Sequence, residues 1–252
     1  MDSSDFQRRF GGIARLYGAD ALARFQRAHC CVAGVGGVGS WVVEALARSG
    51  IGELTLIDMD HVAESNINRQ LPALTDTIGK AKVAALAERV AKINPASVVH
   101  TVEDFVSAED AGKYISSGMD FVFDCIDSFR IKAALIACCK RNKISVITIG
   151  GAGGKIDPLN IRLADLSRTD QDPLLAKTRK ELRQNYGFPR NLKRRFDVPA
   201  VFSRENIIQP QGVEAACENH LNCGGLGSVT HVTAVFGYVA VSKVLSRLSE
   251  KR

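Results

Sequence analysis

The sequence predicts an α/β fold: a Rossmann-type, mainly parallel sheet with helices on both faces, followed by a C-terminal extension with mixed strands and a crossover element. Three observations carry this. Short apolar runs alternate with helix-length segments from His29 to Ile149, the rhythm of strands joined by crossover helices. One glycine cluster, Gly34, Gly36, Gly37 and Gly39, stands at the first junction between such a run and a helix. The chain has 252 residues, 46% hydrophobic and 24% charged, and is therefore long and apolar enough to bury a sizeable core. A single fingerprint in this length points to one domain over 1–252, with a core at 9–154 and a crossover and C-terminal extension at 155–252.

In chain order, the strands expected are His29–Ala33, Glu53–Ile57, Val98–Val102, Phe121–Asp124 and Ser145–Ile149, each a short apolar or β-branched run. A helix over 40–49 is stopped by Gly50, and a second over 79–93 carries Val83, Leu86 and Val90 on one face before Asn94 and Pro95 end it. After Ile149 the texture changes to GGAGGKIDP. The stretch 165–210 holds DPLL, a Lys/Arg-rich helical segment and FPRN, and reads as a long crossover element, not a second core. Residues 219–242 contain no Asp, Glu, Lys or Arg, which raises the question of a membrane span. Glycines and hydroxyl residues make its first half too polar, and the cleaner apolar part at 232–241 is too short. A buried helix without stable membrane insertion is expected, with peripheral membrane association as the alternative.

The net charge of +6 is local. The window 177–195 holds Lys177, Arg179, Lys180, Arg183, Arg190, Lys193, Arg194 and Arg195 against Glu181 alone. It therefore carries 8 − 1 = +7, and the rest of the chain sums to about −1. Such a stripe suits contact with phosphates of a nucleic acid; a solvated loop is the plain alternative. The seven cysteines include two adjacent pairs in apolar segments, Cys30 with Cys31 and Cys138 with Cys139, and no CxxC. Buried reduced thiols are expected, which excludes a disulfide framework and argues against a structural zinc. The start MDSSDFQRRF has no continuous apolar stretch, so a cytoplasmic protein is expected.

The candidate chemistry begins at GVGGVG. Glycine lets the backbone turn tightly and approach a phosphate, while the helix N-terminus offers unpaired amides to an anion. Asp58 ends the second strand, where its carboxylate can accept both hydroxyls of a ribose. These positions leave NAD, FAD and ATP open. Behind them, Asp58, Asp60, Asn66, Arg69, Gln70 and Lys82 supply carboxylates, amides and two cations. Singly, Asn66 reads as a helix cap, Arg69 and Gln70 as a solvated loop, Lys82 as a surface lysine. Together they suit a triphosphate with magnesium and exceed what a nicotinamide needs, so ATP is favoured.

GxGGxG, the DMD at 58–60, NINRQ at 66–70, a lysine twelve residues beyond Gln70 and DCID at 124–127 resemble the E1-like superfamily, which includes activators of ubiquitin-like and sulfur-carrier proteins. The resemblance spans 9–154. It implies that the residue at Asp58 binds ribose, that Asn66, Arg69, Gln70 and Lys82 hold phosphates, and that Asp127 coordinates Mg2+. It further implies a homodimer in which an arginine of the partner's N-terminal segment reaches the phosphates. Arg15 is the candidate, with Arg9 as the alternative.

Within that superfamily, RFGGIARLYG at 9–18, FRIKAALIACCKRNKI at 129–144, GGAGGKIDP at 150–158 and VTAVFGYVAVS at 232–242 resemble the tRNA threonylcarbamoyladenosine dehydratases. This resemblance implies an enzyme that adenylates a carboxylate of a modified adenosine in tRNA, next to the anticodon, and closes the side chain into a ring. It leaves open a bound monovalent cation and a partner from a cysteine desulfurase system. Cys223, in NCGGLGS, is either a reactive thiol or an ordinary thiol at a glycine-rich helix entrance. The competing readings are an activator of a small ubiquitin-like or sulfur-carrier protein, a nicotinamide oxidoreductase and a catalytically silent binding module.

Overall fold

The computed structural model describes residues 3–104, 106–209 and 226–250. Its strands are β1 (His29–Ala33), β2 (Glu53–Ile57), β3 (Val98–Val102), β4 (Phe121–Asp124), β5 (Ser145–Ile149), β6 (Ile161–Asp165) and β7 (Pro199–Ser203). They form one sheet in the order β3-β2-β1-β4-β5-β7-β6, parallel except for the edge strand β6, which runs antiparallel to β7. The order reverses between β1 and β4, and their carboxyl ends open a crevice there.

The helices are α1 (Ser3–Tyr17), α2 (Ala19–Arg27), α3 (Gly39–Arg48), α4 (Lys82–Ile93), α5 (Phe129–Arg141), α6 (Pro173–Asn185) and α7 (Thr230–Glu250). They cover both faces, and the alternation of strand side chains shows why both need covering. Cys30 and Val32 pack with Leu46, Leu86 and Phe236 of α3, α4 and α7, whereas Cys31 and Ala33 pack with Leu135, Leu175 and Leu182 of α5 and α6. Adjacent Cys30 and Cys31 thus belong to opposite cores, both fully buried.

The five strands expected from the sequence stand at their expected bounds. The helix expected over 79–93 starts at Lys82, because 79–81 form a turn in which Gly79 (φ 82°) donates to the Val62 carbonyl and His61 bridges Ala81. The stretch 165–210 is more than a crossover. Asp172 caps α6 by accepting from the Leu175 amide at 2.9 Å, Pro173 follows it, and Leu175, Thr178 and Leu182 bury one side of the helix. The chain then returns as β7, inserted between β5 and β6, with Val201 fully buried. Its single apolar run is short and flanked by charge, which hides it from periodicity. The uncharged segment is α7, long and apolar enough to cross a membrane, and it lies in the core with Val232, Phe236, Ala240 and Val244 fully buried. Residues 219–225, with Cys223, lie outside the described residues.

Candidate functional site

The crevice is built from the ends of β1, β2 and β4. Gly34 (φ 82°) opens the glycine loop, and a Cβ there would stand 3.0 Å from the Cys125 carbonyl oxygen. A Cβ on Gly39 would come within 1.9 Å of the Gly34 oxygen, so only glycine lets the loop close onto α3. Gly36 and Gly37 have ordinary room, their nearest neighbours being Gln70 Nε2 at 3.7 Å and Arg69 Cγ at 3.5 Å. Those two glycines leave an open cradle beside the Gln70 amide and the stem of Arg69.

Asp58 is held by the loop it serves. One carboxylate oxygen accepts from the Val35 amide at 2.8 Å and the other from the Asp60 amide at 2.9 Å. Lys82, 5% exposed at the start of α4, donates to Asp60 Oδ2 at 2.6 Å; it is a buried cation aimed across the end of β2, not a surface lysine. Asn66 is buried and its Oδ1 accepts the Ala63 amide, so its side chain shapes the turn that carries Arg69 and Gln70. Gln70 is 6% exposed, and its Oε1 has no hydrogen-bond partner among the described residues. That oxygen is an acceptor and calls for a donor, while Nε2, the atom beside Gly36, is the one that can donate to a phosphate.

Arg69 donates to the Ser65 carbonyl at 2.6 Å and to Asn68 Oδ1 at 3.0 Å. Its own carbonyl accepts from Trp41 Nε1 of α3 at 3.0 Å and from Thr233 Oγ1 of α7 at 3.4 Å. Thr230 Oγ1 donates to the Asn68 carbonyl, and Asn68 Nδ2 to the Ser228 carbonyl. The C-terminal extension therefore clamps the Arg69 segment, a support that lies about 160 residues away in sequence and has no local signal.

Asp127 faces the crevice from the turn after β4. Burial by the crevice walls pushes its carboxyl above the ordinary range, and the nearby carboxylates of Asp60 and Asp58 add to the shift. Asp58 and Asp60 lie near enough to Asp127 to influence its charge, and a cation would relieve that repulsion. Magnesium fits, since it is commonly held by one or two carboxylates together with phosphate oxygens and water. Among the described residues no group of three side chains is preassembled around a metal.

Beneath that turn lies a group that the sequence reading missed. Lys132 and Asp124 are both fully buried and paired at 2.9 Å. The Lys132 ammonium also reaches the Asp124 carbonyl and Thr148 Oγ1, each at 3.2 Å. Thr148 donates to Asp124 Oδ2 at 2.6 Å, and the Ile126 amide to Asp124 Oδ1 at 3.3 Å. The available signal was a lone lysine inside the apolar run IKAALIACC. Burial pushes the Asp124 carboxyl up, and Lys132 is the largest influence opposing it.

Arg15 is not part of this chain's crevice. It is exposed on α1, and α1 packs near the amino ends of the strands, with Phe6 and Phe10 against Gly50, whereas the crevice lies at their carboxyl ends. Arg9 is engaged there too, with Asp5 at 3.0 Å and the closing carbonyls of α4. The glycine-rich 150–154 segment serves as a junction: Gly151 donates to Asp172 Oδ2 at 2.9 Å, and a Cβ on Gly150 would meet that oxygen at 2.0 Å.

The ThiF family model matches residues 11–252. The tRNA threonylcarbamoyladenosine dehydratase of Haemophilus influenzae is 56% identical over 250 residues, covering 98% of this chain and 96% of its own. That of Escherichia coli is 49% identical over 258 residues, covering 99% and 96%. A crystal structure of the Escherichia coli enzyme in complex with ATP superposes with a TM-score of 0.90 at 50% identity, covering 98% of this chain and 96% of that one. On this evidence the chain belongs to the ThiF family, and within it to the tRNA threonylcarbamoyladenosine dehydratases.

Proposed function

We propose that this chain, one adenylating unit over its whole length, uses ATP to dehydrate N6-threonylcarbamoyladenosine in tRNA to its cyclic form. The single observation that carries the reading is the crevice itself: the glycine cradle, the anchored Asp58 and the amide of Gln70 meet Arg69, Lys82 and Asp127 in one place. The near full-length likeness to the dehydratases supports the same substrate.

The chemistry follows from the residues. A carboxylate resists attack until one of its oxygens becomes a leaving group. That oxygen attacks the α-phosphorus of ATP, a P–O bond forms, and pyrophosphate departs. Asp58 holds the ribose, while the amides of Gly36 and Gly37 face the phosphates. Arg69 and Lys82 stabilise the charge moving onto pyrophosphate. Lys82 can do so because its present partner, Asp60, is 60% exposed and can yield it. Magnesium, held by Asp127, would supply further positive charge at the phosphates. A carbamoyl nitrogen of the same side chain then attacks the acyl carbon, the C–O bond to AMP breaks, and the nitrogen loses its proton. Both reacting groups sit on one nucleoside, so positioning does much of the work and no protein nucleophile is required.

Arg15 cannot reach the crevice of its own chain, so a homodimer that lends it to the partner's phosphates is the arrangement we propose. A need for ATP and tRNA supports a cytoplasmic protein. Nucleoside mass spectrometry of tRNA from a strain lacking the gene, with and without this protein restored, tests the reading. The cyclic nucleoside should return with the protein; its continued absence, with the linear form intact, would refute it.

A further inference from the structure

Outside the crevice, four cations converge on one cleft at the amino ends of the central strands. Lys140 lies at the end of α5, Lys143 on its exit turn, and Lys243 and Arg247 one turn apart on α7. They line a cleft of about 350 Å3 in which Asp197 is the one carboxylate. None of the four forms an ion pair with another described residue, and Lys140 donates to the Asp197 carbonyl at 3.4 Å. Four cations against one carboxylate leave an excess of positive charge that repels itself, and an anion relieves the repulsion.

A second observation concerns Lys143. It holds φ 57° where α5 ends, with its amide on the Lys140 carbonyl and the Ile144 amide on the Cys139 carbonyl. Helix α3 ends with the same pair of bonds, and there the corresponding residue is Gly50 at φ 77°. Glycine occupies this left-handed position freely, and a residue with a Cβ does so at a cost, as Lys143 does here. Strain of this kind is retained where a side chain has work to do. Here the strained residue is a cation at the rim of the cleft.

Position says which anion. The cleft lies at Phe121 and Ser145, where β4 and β5 begin, whereas the phosphate crevice lies beyond the strand ends. Five residue steps from Ser145 to Gly150, at about 3.3 Å each, separate the two by about 17 Å or more. A single nucleotide cannot fill both places; a chain of phosphates can. Helix α6 spans the same height with Lys177 and Lys180 exposed, and Arg194 and Arg195 are exposed on the loop below it. We infer that the cleft binds the phosphate backbone of a tRNA segment remote from the reacting nucleotide. Helix α6 and the cleft then hold a stem while the crevice works on the modified base. This rests on the RNA substrate proposed above and adds a binding surface to it.

The test is a Lys143→Glu/Arg247→Glu protein, both positions being exposed. Its affinity is measured across a salt series for full-length tRNA and for a short RNA carrying only the modified nucleotide and its loop neighbours. Full-length tRNA should bind about tenfold more weakly, with a log–log salt slope shallower by about 2, because two fewer phosphates are neutralised. ATP affinity and affinity for the short RNA should stay at wild-type values. Unchanged affinity and slope for full-length tRNA overturn the inference. So does an equal loss for the short RNA, or loss of a dimer with tRNA affinity intact, which would make this face a contact between copies. Inorganic phosphate titrated alone, if it saturates the cleft while the tRNA slope is unchanged, points to a free-phosphate site and overturns it as well. Lys143→Gly separates strain from charge: its melting temperature should rise by about 2 °C while tRNA affinity falls. Affinity is read without turnover, so a wild-type protein that binds tRNA but leaves its nucleosides unchanged would sink the substrate reading and leave the cleft standing.

Discussion

Replacing Lys132 by Met strands the Asp124 carboxylate in the core. In the native chain that carboxylate has the Lys132 ammonium at 2.9 Å, the Thr148 hydroxyl at 2.6 Å and the Ile126 amide at 3.3 Å. Removing one partner of such a pair costs about 3–5 kcal/mol, because the other charge stays buried without compensation. The cost should depend on pH. Burial already raises the Asp124 carboxyl above its ordinary 3.8, and losing Lys132 removes the largest opposing influence, so the variant's carboxyl rises further. An acid whose folded pKa lies above its unfolded value contributes most stability while protonated, and loses that contribution as pH rises from the unfolded value through the folded one. The deficit against wild type should therefore be smallest near pH 4 and grow toward neutrality. Urea denaturation at several pH values measures it. The double variant Asp124→Asn/Lys132→Met removes both charges and should recover most of the loss at neutral pH. A Lys132→Met protein as stable as wild type at neutral pH, or a deficit independent of pH, would refute the reasoning.

Arg69→Ala and Lys82→Ala should each abolish pyrophosphate release with modified tRNA. Each should cost about 1 kcal/mol of stability or less, since Lys82's partner Asp60 is solvated and pairs of that kind contribute little; turnover at the wild-type rate in both would remove the phosphate assignment. Asp127→Asn should lose turnover yet still bind AMP in calorimetry through Asp58 and the glycine loop, and loss of AMP binding in a folded protein would show the residue misplaced. Mixing Arg15→Ala subunits with Asp58→Ala subunits should restore activity that neither has alone, as one intact site forms per mixed dimer; a protein that sediments as a monomer at all concentrations contradicts this. Charge reversal at Arg194 and Arg195 should weaken tRNA binding and flatten its salt dependence with ATP affinity unchanged, and wild-type values of both would leave that loop merely solvated.

How much was legible depended on the range of the signal. Strands β1 to β5 are apolar runs set off by turn residues, and the glycine loop and Asp58 follow directly on two of them, so local pattern sufficed to place these elements. Asp127, three residues beyond β4, is marked by the resemblance alone. Local pattern failed where a residue's role is set by a distant partner. Lys82 taken singly reads as a surface lysine, and only its grouping with Asp58, Asp60, Asn66, Arg69 and Gln70 marks it for a phosphate; it is buried because the turn at 79–81 folds α4 onto Asp60. Lys132 interrupts an apolar helix face, but nothing nearby in sequence announces the carboxylate it pairs with. Along 175–195 the basic residues outnumber the three that dock α6, Leu175, Thr178 and Leu182, so charge masks the buried face of this helix. Strand β7 is set by the neighbours it enters between, which sequence order does not reveal.

The clamp on Arg69 shows why the C-terminal extension belongs to the site. A guanidinium that must meet a phosphate needs its backbone fixed, since a long side chain on a mobile turn loses orientation when it binds. The turn at 64–70 has only short 3-10 structure of its own. Its rigidity comes from Trp41 on α3 and Thr233 on α7, both donating to the one Arg69 carbonyl, and from Thr230 on the Asn68 carbonyl. Helix α7 in turn is fixed by burial along its length, from Val232 through Leu248. A span of apolar residues that sequence alone could confuse with a membrane helix is thus the post to which the phosphate-binding turn is tied. Its far end carries Lys243 and Arg247 to the basic cleft, so one rigid element sets the spacing between the phosphate-binding turn and the proposed grip on the RNA stem.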